Sequence, residues 1–228
     1  MTASPTAETV VCFDLGGVLV RICRTWPEAC ARANIPVRSE QTLASENARA
    51  TRREVVDRYQ QGRMVCGAYF EALSQSLVGL YSPTEVEQIH DAWTLEEYAG
   101  VDALVSALEG VPGVTTACLS NTNHSHWQRL SGANGRAEYP SVSRLRHRLA
   151  SHELGCTKPD PAIYVMAERH FFAAPRSGRV IFFDDLVDNV TAARIAGWHA
   201  FQVDHTGDTV AQMRGHLADL GVLAPSPR

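Results

Sequence analysis

The sequence predicts an α/β protein built on a doubly wound parallel sheet, with an all-helical block inserted after the first strand. Three observations carry this. Short, apolar, β-branched runs alternate with stretches whose apolar residues recur at helical spacing. Each of the clearest runs breaks off at a polar residue. Between Arg21 and Thr94 the strand pattern stops altogether, and Ala, Arg, Glu and Gln dominate.

The first strand is Val10-Val11-Cys12-Phe13, which runs into Asp14 and then, after Leu15, into Gly16-Gly17. Four buried-type residues bounded by glycine suit an inner strand of a parallel sheet, and the glycines allow a sharp turn. In the inserted block, Trp26, Cys30 and Ala33 share one helical face, as do Val55, Val56 and Tyr59, and then Tyr69, Phe70, Leu73 and Leu77. Pro36, Gly62, Gly79 and Pro83 punctuate it into about four helices. Ser82-Pro83-Thr84-Glu85 reads as a helix start with an N-cap serine and proline at the first position.

Strand–helix alternation then resumes. Asp102 to Leu108 is helical, and Val114 to Leu119 is a strand ending in Ser120-Asn121-Thr122-Asn123. Residues 131–140 form a loop. A weaker strand near Arg148 to Ser151 precedes Thr157-Lys158-Pro159-Asp160, and a helix starts on Pro161 and runs to Phe171. Arg179 to Phe183 is a strong strand ending in Asp184-Asp185. A helix through Ala196 follows it, closed by Gly197, and a last strand spans His199 to Val203. The expected organisation is a core of 9–20 with 95–223, a helical insertion at 21–94, and flexible ends at 1–8 and 224–228.

Composition narrows the function classes. A chain of 228 residues with 45% apolar and 20% charged residues can bury one substantial core. A net charge of −4 speaks against a nucleic-acid binder driven by phosphate contacts. The local basic group Arg144, Arg146, His147 and Arg148 reads as a solvated turn. The six cysteines contain no CxxC pair, so reduced thiols are expected. Residues 1–8 do not resemble a signal peptide and no stretch approaches a membrane span, so a cytoplasmic protein is expected, monomeric or homodimeric, without membrane partners.

The chemistry sits at the strand ends. Parallel strands place their carboxyl ends on one edge, so Asp14, Ser120-Asn121, Lys158 and Asp184-Asp185 can converge. Three acids beside a lysine, without His or Cys, suit a hard cation such as Mg²⁺. Mg²⁺, lysine and hydroxyl together cradle a phosphoryl group, and a carboxylate left over can act as nucleophile.

These motifs resemble those of the haloacid dehalogenase superfamily of hydrolases, of the aspartyl-phosphate type with a helical cap, and the likeness runs over about residues 9–215. Phe13-Asp14-Leu15-Gly16-Gly17-Val18, Leu119-Ser120-Asn121-Thr122-Asn123, Leu154 to Asp160, and Phe182-Phe183-Asp184-Asp185 with Asp188-Asn189 match its four motifs. The similarity is greatest to the branch acting on α-D-glucose 1-phosphate, which shares the Ser-Asn-Thr-Asn run and a Tyr-Pro (here Tyr139-Pro140). The resemblance implies a Rossmann-like core and a Mg²⁺-dependent phosphatase for a small phosphorylated metabolite, a sugar phosphate. It implies that Asp14 attacks phosphorus, that Lys158 neutralises charge, and that Ser120, Asn121 and Gly17 bind phosphoryl oxygens. Asp14, the Gly16 carbonyl, Asp185 and Asp184 would hold the metal, with Asn189 orienting that shell.

One position departs from the pattern. Most phosphatases of the superfamily carry a second aspartate where Gly16 stands, and general acid–base help is typically worth ~10²–10⁴-fold. An anomeric leaving oxygen needs protonation less, and His124 or His126 could stand in. Trp127 reads as packing, while Trp26, Glu28 and Arg53 of the insertion are candidates to touch substrate. Two other readings remain open. Gly16 would suit a binding or regulatory protein that hydrolyses little. The same carboxylate could serve a 2-haloacid dehalogenase, although Asp184-Asp185 would then repel the substrate carboxylate.

Overall fold

Alternation along the inner strands explains why the sheet is buried on both faces. In β1 (Glu8–Phe13), Val11 and Phe13 join one apolar cluster, while Val10 and Cys12 join another on the opposite side. The computed structural model describes residues 8–39, 41, 45–133, 135, 138–174 and 177–225. Five parallel strands make the main sheet: β1, β4 (Val114–Ser120), β5 (His147–Ala150), β6 (Gly178–Asp184) and β7 (His199–Gln202), in the order β5-β4-β1-β6-β7. β1 is therefore central, and Phe13 lies level with Cys118 on one side and Phe183 on the other. That register brings Asp14, Ser120 and Asp184 to the same edge.

Helices cover both faces. On one side α5 (Val101–Glu109), α6 (His124–Leu130) and α11 (Thr209–Asp219) pack through Leu104, Trp127 and Met213. α7 (Pro140–Arg144) adds Val142 to that side. On the other, α9 (Pro161–Phe171) and α10 (Val187–Ile195) supply Tyr164, Phe171 and Val190. The short α8 (Ser151–Leu154) links β5 to the lysine loop.

Between β1 and β4 the chain builds a third apolar cluster from α1 (Trp26–Arg32), α2 (Glu46–Gln60), α3 (Cys66–Ser76) and α4 (Pro83–Asp91). Its centre is Cys30, Tyr59, Tyr69, Leu77 and Tyr81, with the Tyr59 and Tyr69 rings stacked at 3.9 Å. The expected helix start at Ser82 is a full capping box, with Ser82 and Glu85 each bonded to the other's backbone.

Two expectations need correction. The insertion is not wholly helical at its root: β2 (Val20–Ile22) and β3 (Thr94–Glu97) pair antiparallel and tie its two ends together, so boundaries at 21 and 94 cut through strands. Strands of three and four residues are too short to display an alternating pattern. Glu8 is not part of a loose end but the first residue of β1, level with Gly178; residues 1–7 and 226–228 of the expected flexible ends lie outside the described residues. The basic group at 144–148 is solvated as expected, its three arginines exposed where a helix gives way to β5. Arg144 is clasped by Asp102 and Glu109 of α5, Arg148 bonds the Ser143 carbonyl, and His147 begins β5, at the end of that strand remote from the aspartates. All six cysteines are free thiols, and no helix among the described residues is long and apolar enough to cross a membrane.

Candidate active site

The turn after β1 is made by Leu15, whose carbonyl accepts from the backbone N–H of Val18, Leu19 and Val20. Gly17 adopts a left-handed backbone, φ 84°, and a β-carbon there would collide with Arg24 and the Asp185 carboxylate. Gly16 is different: its φ is not positive, and a β-carbon would meet only the tip of Ile22, at 3.0 Å. No backbone donor among the described residues takes the Gly16 carbonyl.

Lys158 lies 3.0 Å from Asp14 Oδ1 and 2.7 Å from Asp184 Oδ2, and its side chain is wholly buried. Burial works against its ammonium, but the two carboxylates outweigh this and hold the lysine charged, its pKa raised. Asp184 is saturated. Oδ1 accepts from the Leu186 N–H and from Asn189 Nδ2, and Oδ2 accepts from Lys158 and Asn189. Asp185 Oδ2 accepts from Arg24 Nη1 at 2.7 Å.

Asp14 is the least satisfied group. Its Oδ1 is buried without a well-directed hydrogen bond, and its pKa is pushed up to about 7 by burial, with Asp184 and Asp185 adding to the effect against Lys158. Oxygens of Asp14, Asp184 and Asp185 lie within 4.8 Å of one another. Three hard carboxylates around an under-satisfied oxygen, beside an open carbonyl on Gly16, fit an oxygen-coordinated divalent cation.

Of the residues expected at the site, Asp14, Lys158, Asp184, Asp185 and Asn189 are thus brought together. Ser120 and Asn121 line the adjoining cavity. Of the expected phosphate contacts, that of the Gly17 N–H is corrected, while for Asn121 the side chain alone is engaged elsewhere. The Asn121 side chain is spent on the Lys158 backbone, its Nδ2 donating to the carbonyl and its Oδ1 accepting the N–H, both at 2.8 Å. It positions the lysine. The Gly17 N–H donates to Val20 O within the turn and is equally unavailable.

The cavity, about 480 Å³, lies between this edge and the inserted helices. Trp26 and Arg53 line it; Glu28 does not, and its carboxylate accepts from the Arg24 N–H. Trp127 is core. His124 is exposed and lies off the cavity lining. His126 lines the cavity, yet both its ring nitrogens are engaged. Nε2 donates to His90 O at 2.8 Å, which leaves Nδ1 to accept from Asn123 Nδ2 at 3.4 Å. Burial lowers its pKa to about 4, so it is a neutral structural group with no proton to lend. Sequence reasoning missed Arg24, His90 and Arg52. Nothing in their spacing marks them, because their neighbours come from distant segments.

The strand ends of the parallel sheet thus gather a lysine and three aspartates at one edge. Residues 9–197 match the haloacid dehalogenase-like hydrolases, and the chain belongs to that family. A stretch of 75 residues is 36% identical to phosphatase MT3486 of Mycobacterium tuberculosis, covering 33% of this chain and 34% of that protein. The chain thus matches about one third of that relative's length. Among solved structures, the fold is similar to the family enzyme BT-2542 of Bacteroides thetaiotaomicron, crystallised with magnesium and inorganic phosphate. The TM-score is 0.64 at 17% identity over 88% of this chain and 96% of that one. It is also similar to L-2-haloacid dehalogenase of Xanthobacter autotrophicus with chloropropionic acid covalently bound, with TM-score 0.58 and 19% identity over 95% and 84%. At such identities the likeness speaks for the fold alone.

Proposed function

We propose that the protein is a Mg²⁺-dependent phosphatase acting on a small phosphorylated metabolite through an aspartyl-phosphate on Asp14, in a cytoplasmic setting that its six free thiols support. The observation that carries the reading is the buried Asp14 oxygen, 3.0 Å from Lys158 and grouped with Asp184 and Asp185. The related phosphatase and the magnesium and phosphate bound by a structural neighbour support it. Asp14, Asp185 and the Gly16 carbonyl would hold the cation, and Asp184, whose oxygens already take four hydrogen bonds, would add its negative charge beside them; when bound, Mg²⁺ supplies charge neutralisation at the phosphoryl oxygens.

Asp14 attacks phosphorus in line, and the P–O bond to the leaving alcohol breaks. Lys158 holds the attacking carboxylate in place and meets the charge that develops on the phosphoryl group. Ser120, at the end of β4, offers its hydroxyl to a phosphoryl oxygen. Asn121 fixes the lysine, and Asn189 fixes Asp184. Water then hydrolyses the acyl phosphate and restores Asp14. Gly16 donates no proton to the leaving oxygen, so the site favours esters whose alcohol leaves readily, among which sugar 1-phosphates are the class the sequence resemblance points to.

Phosphate release from p-nitrophenyl phosphate, with and without Mg²⁺, tests this. Metal-dependent release that vanishes in Asp14→Asn is the expected result. No release by metal-bound protein at any pH from mildly acidic to neutral would favour a phosphate-binding protein, the reading that Gly16 supports. A dehalogenase would have to seat an anionic substrate carboxylate beside Asp184 and Asp185.

A further inference from the structure

Among the described residues, two cationic side chains pair with the three aspartates of the site, and they are held very differently. Lys158 is wholly buried and locked between Asp14 and Asp184. Arg24 reaches in from the loop between β2 and α1, and its side chain is about one-third exposed. It also lines a second cavity, of about 600 Å³, together with Glu28, Tyr98 and Asp208, so the long side chain has room to turn.

The guanidinium uses little of its donor set. Nη1 donates to Asp185 Oδ2, and no acceptor among the described residues takes Nε or Nη2. Nη2 lies over Gly17, at the place a β-carbon of that residue would fill. The turn after Asp14 is therefore bare where the guanidinium rests on it. Oxygens of Asp185 and Asp14 lie within 4.8 Å of each other, so the arginine ends beside the carboxylate that would carry phosphorus.

A divalent cation on Asp14, Asp185 and the Gly16 carbonyl would bring a double positive charge to the carboxylate that Arg24 holds, and like charges that close repel. The displaced guanidinium has two anions to turn to. Glu28 is exposed and already accepts the Arg24 backbone N–H, and a solvated ion pair there gains little. A phosphoryl group on Asp14 is doubly charged and enclosed, and the planar fork of an arginine matches two of its oxygens. The Asn121 side chain and the Gly17 N–H, spent on the Lys158 backbone and on Val20, offer that group nothing.

Resting on the phosphatase reading, we propose that Arg24 is a phosphate-binding arm with two positions: it neutralises Asp185 before the cation binds, and it passes to the phosphoryl group once the cation takes Asp185. Each ligand then favours the other. The cation frees the arm for phosphate, and phosphate draws the arm away from the cation's oxygen.

Inorganic phosphate, which requires no turnover, is the probe, titrated by calorimetry into the whole protein at saturating Mg²⁺. Its dissociation constant is expected to rise by roughly tenfold or more in Arg24→Ala and to recover in part in Arg24→Lys, which keeps the charge but not the fork. Mg²⁺ affinity measured in both variants shows that the site is folded, and the lysine variant carries the comparison if the alanine variant is not. The magnetic resonance signal of the Arg24 Nε–H reads the arm itself: it is expected to move on adding Mg²⁺ and to move again on adding phosphate. A phosphate dissociation constant unchanged by either substitution overturns the proposal, as does an Arg24 signal that Mg²⁺ leaves in place, or Mg²⁺-loaded unaltered protein that binds no phosphate. Release of phosphate from p-nitrophenyl phosphate judges the phosphatase reading separately. If none is released while phosphate binding depends on Arg24, the hydrolytic reading falls and the arm stands.

Discussion

Arg24 Nη1 lies 2.7 Å from Asp185 Oδ2, an ion pair joining the loop after β2 to the end of β6. Asp185 is almost fully buried, whereas the arginine side chain is about one-third exposed, at 32%. The guanidinium thus compensates the one site carboxylate that neither Lys158 nor Asn189 reaches. It also competes with any cation for that oxygen.

Removing this competitor is expected to tighten metal binding. In Arg24→Ala, the Mn²⁺ or Mg²⁺ dissociation constant, followed by calorimetry or by the Mn²⁺ electron paramagnetic resonance signal, should fall by roughly tenfold, about 1.4 kcal/mol. Weaker binding would mean that Arg24 helps to hold the carboxylate in its binding pose.

Asn121 acts on the reaction through Lys158. Asn121→Ala frees the lysine loop and is expected to lower kcat roughly tenfold or more, with KM changed far less, since a small misplacement of a charge-neutralising group weakens transition-state stabilisation most. Asn121→Asp keeps the acceptor for the Lys158 N–H but loses the donor to its carbonyl, and should fall between the two. A selective rise in KM would mean that the Asn121 side chain contacts the phosphate directly.

The adjacent glycines should behave oppositely. Gly17→Ala places a methyl group on Asp185 and Arg24 in a left-handed backbone, which alone costs about 1–2 kcal/mol. Both melting temperature and metal affinity should drop. Gly16→Asp needs only a small shift of the Ile22 tip. It restores a proton donor and is expected to raise turnover of simple alkyl phosphates about tenfold or more. Loss of activity with metal affinity intact would show that another group already fills this role.

His126 makes stability depend on pH. Its pKa is lowered from 6.5 to about 4, so the unfolded chain binds the proton more tightly than the folded one. The stability is fully present above pH 6.5 and is lost as pH falls through about 4, an effect of roughly 3 kcal/mol for such a shift. His90, lowered for the same reason, adds in the same direction. Asp14, whose pKa is raised, works in the opposite sense, so the informative quantity is a difference. Urea unfolding at pH 7.5 and pH 4 should show the wild type losing about 3 kcal/mol more than His126→Gln. Equal losses would mean that the imidazole is solvated.

The sequence alone determined the strand ends. Asp14, Ser120, Lys158 and Asp184-Asp185 are legible because each closes an apolar run, and parallel strands deliver their carboxyl ends to one edge whatever the details of packing. The core alternation and the capping box at Ser82 were legible for the same reason, since periodicity and capping act over a few residues. Only the tertiary structure decided what these residues touch. The Asn121 side chain proved to clasp the lysine loop, Gly17 proved to matter for the side chain it lacks, and His126 spent both nitrogens between core and insertion. Arg24 reached Asp185 across 161 positions of chain. Contacts of that separation depend on how the inserted helices settle on the sheet, and no local pattern of residues encodes that.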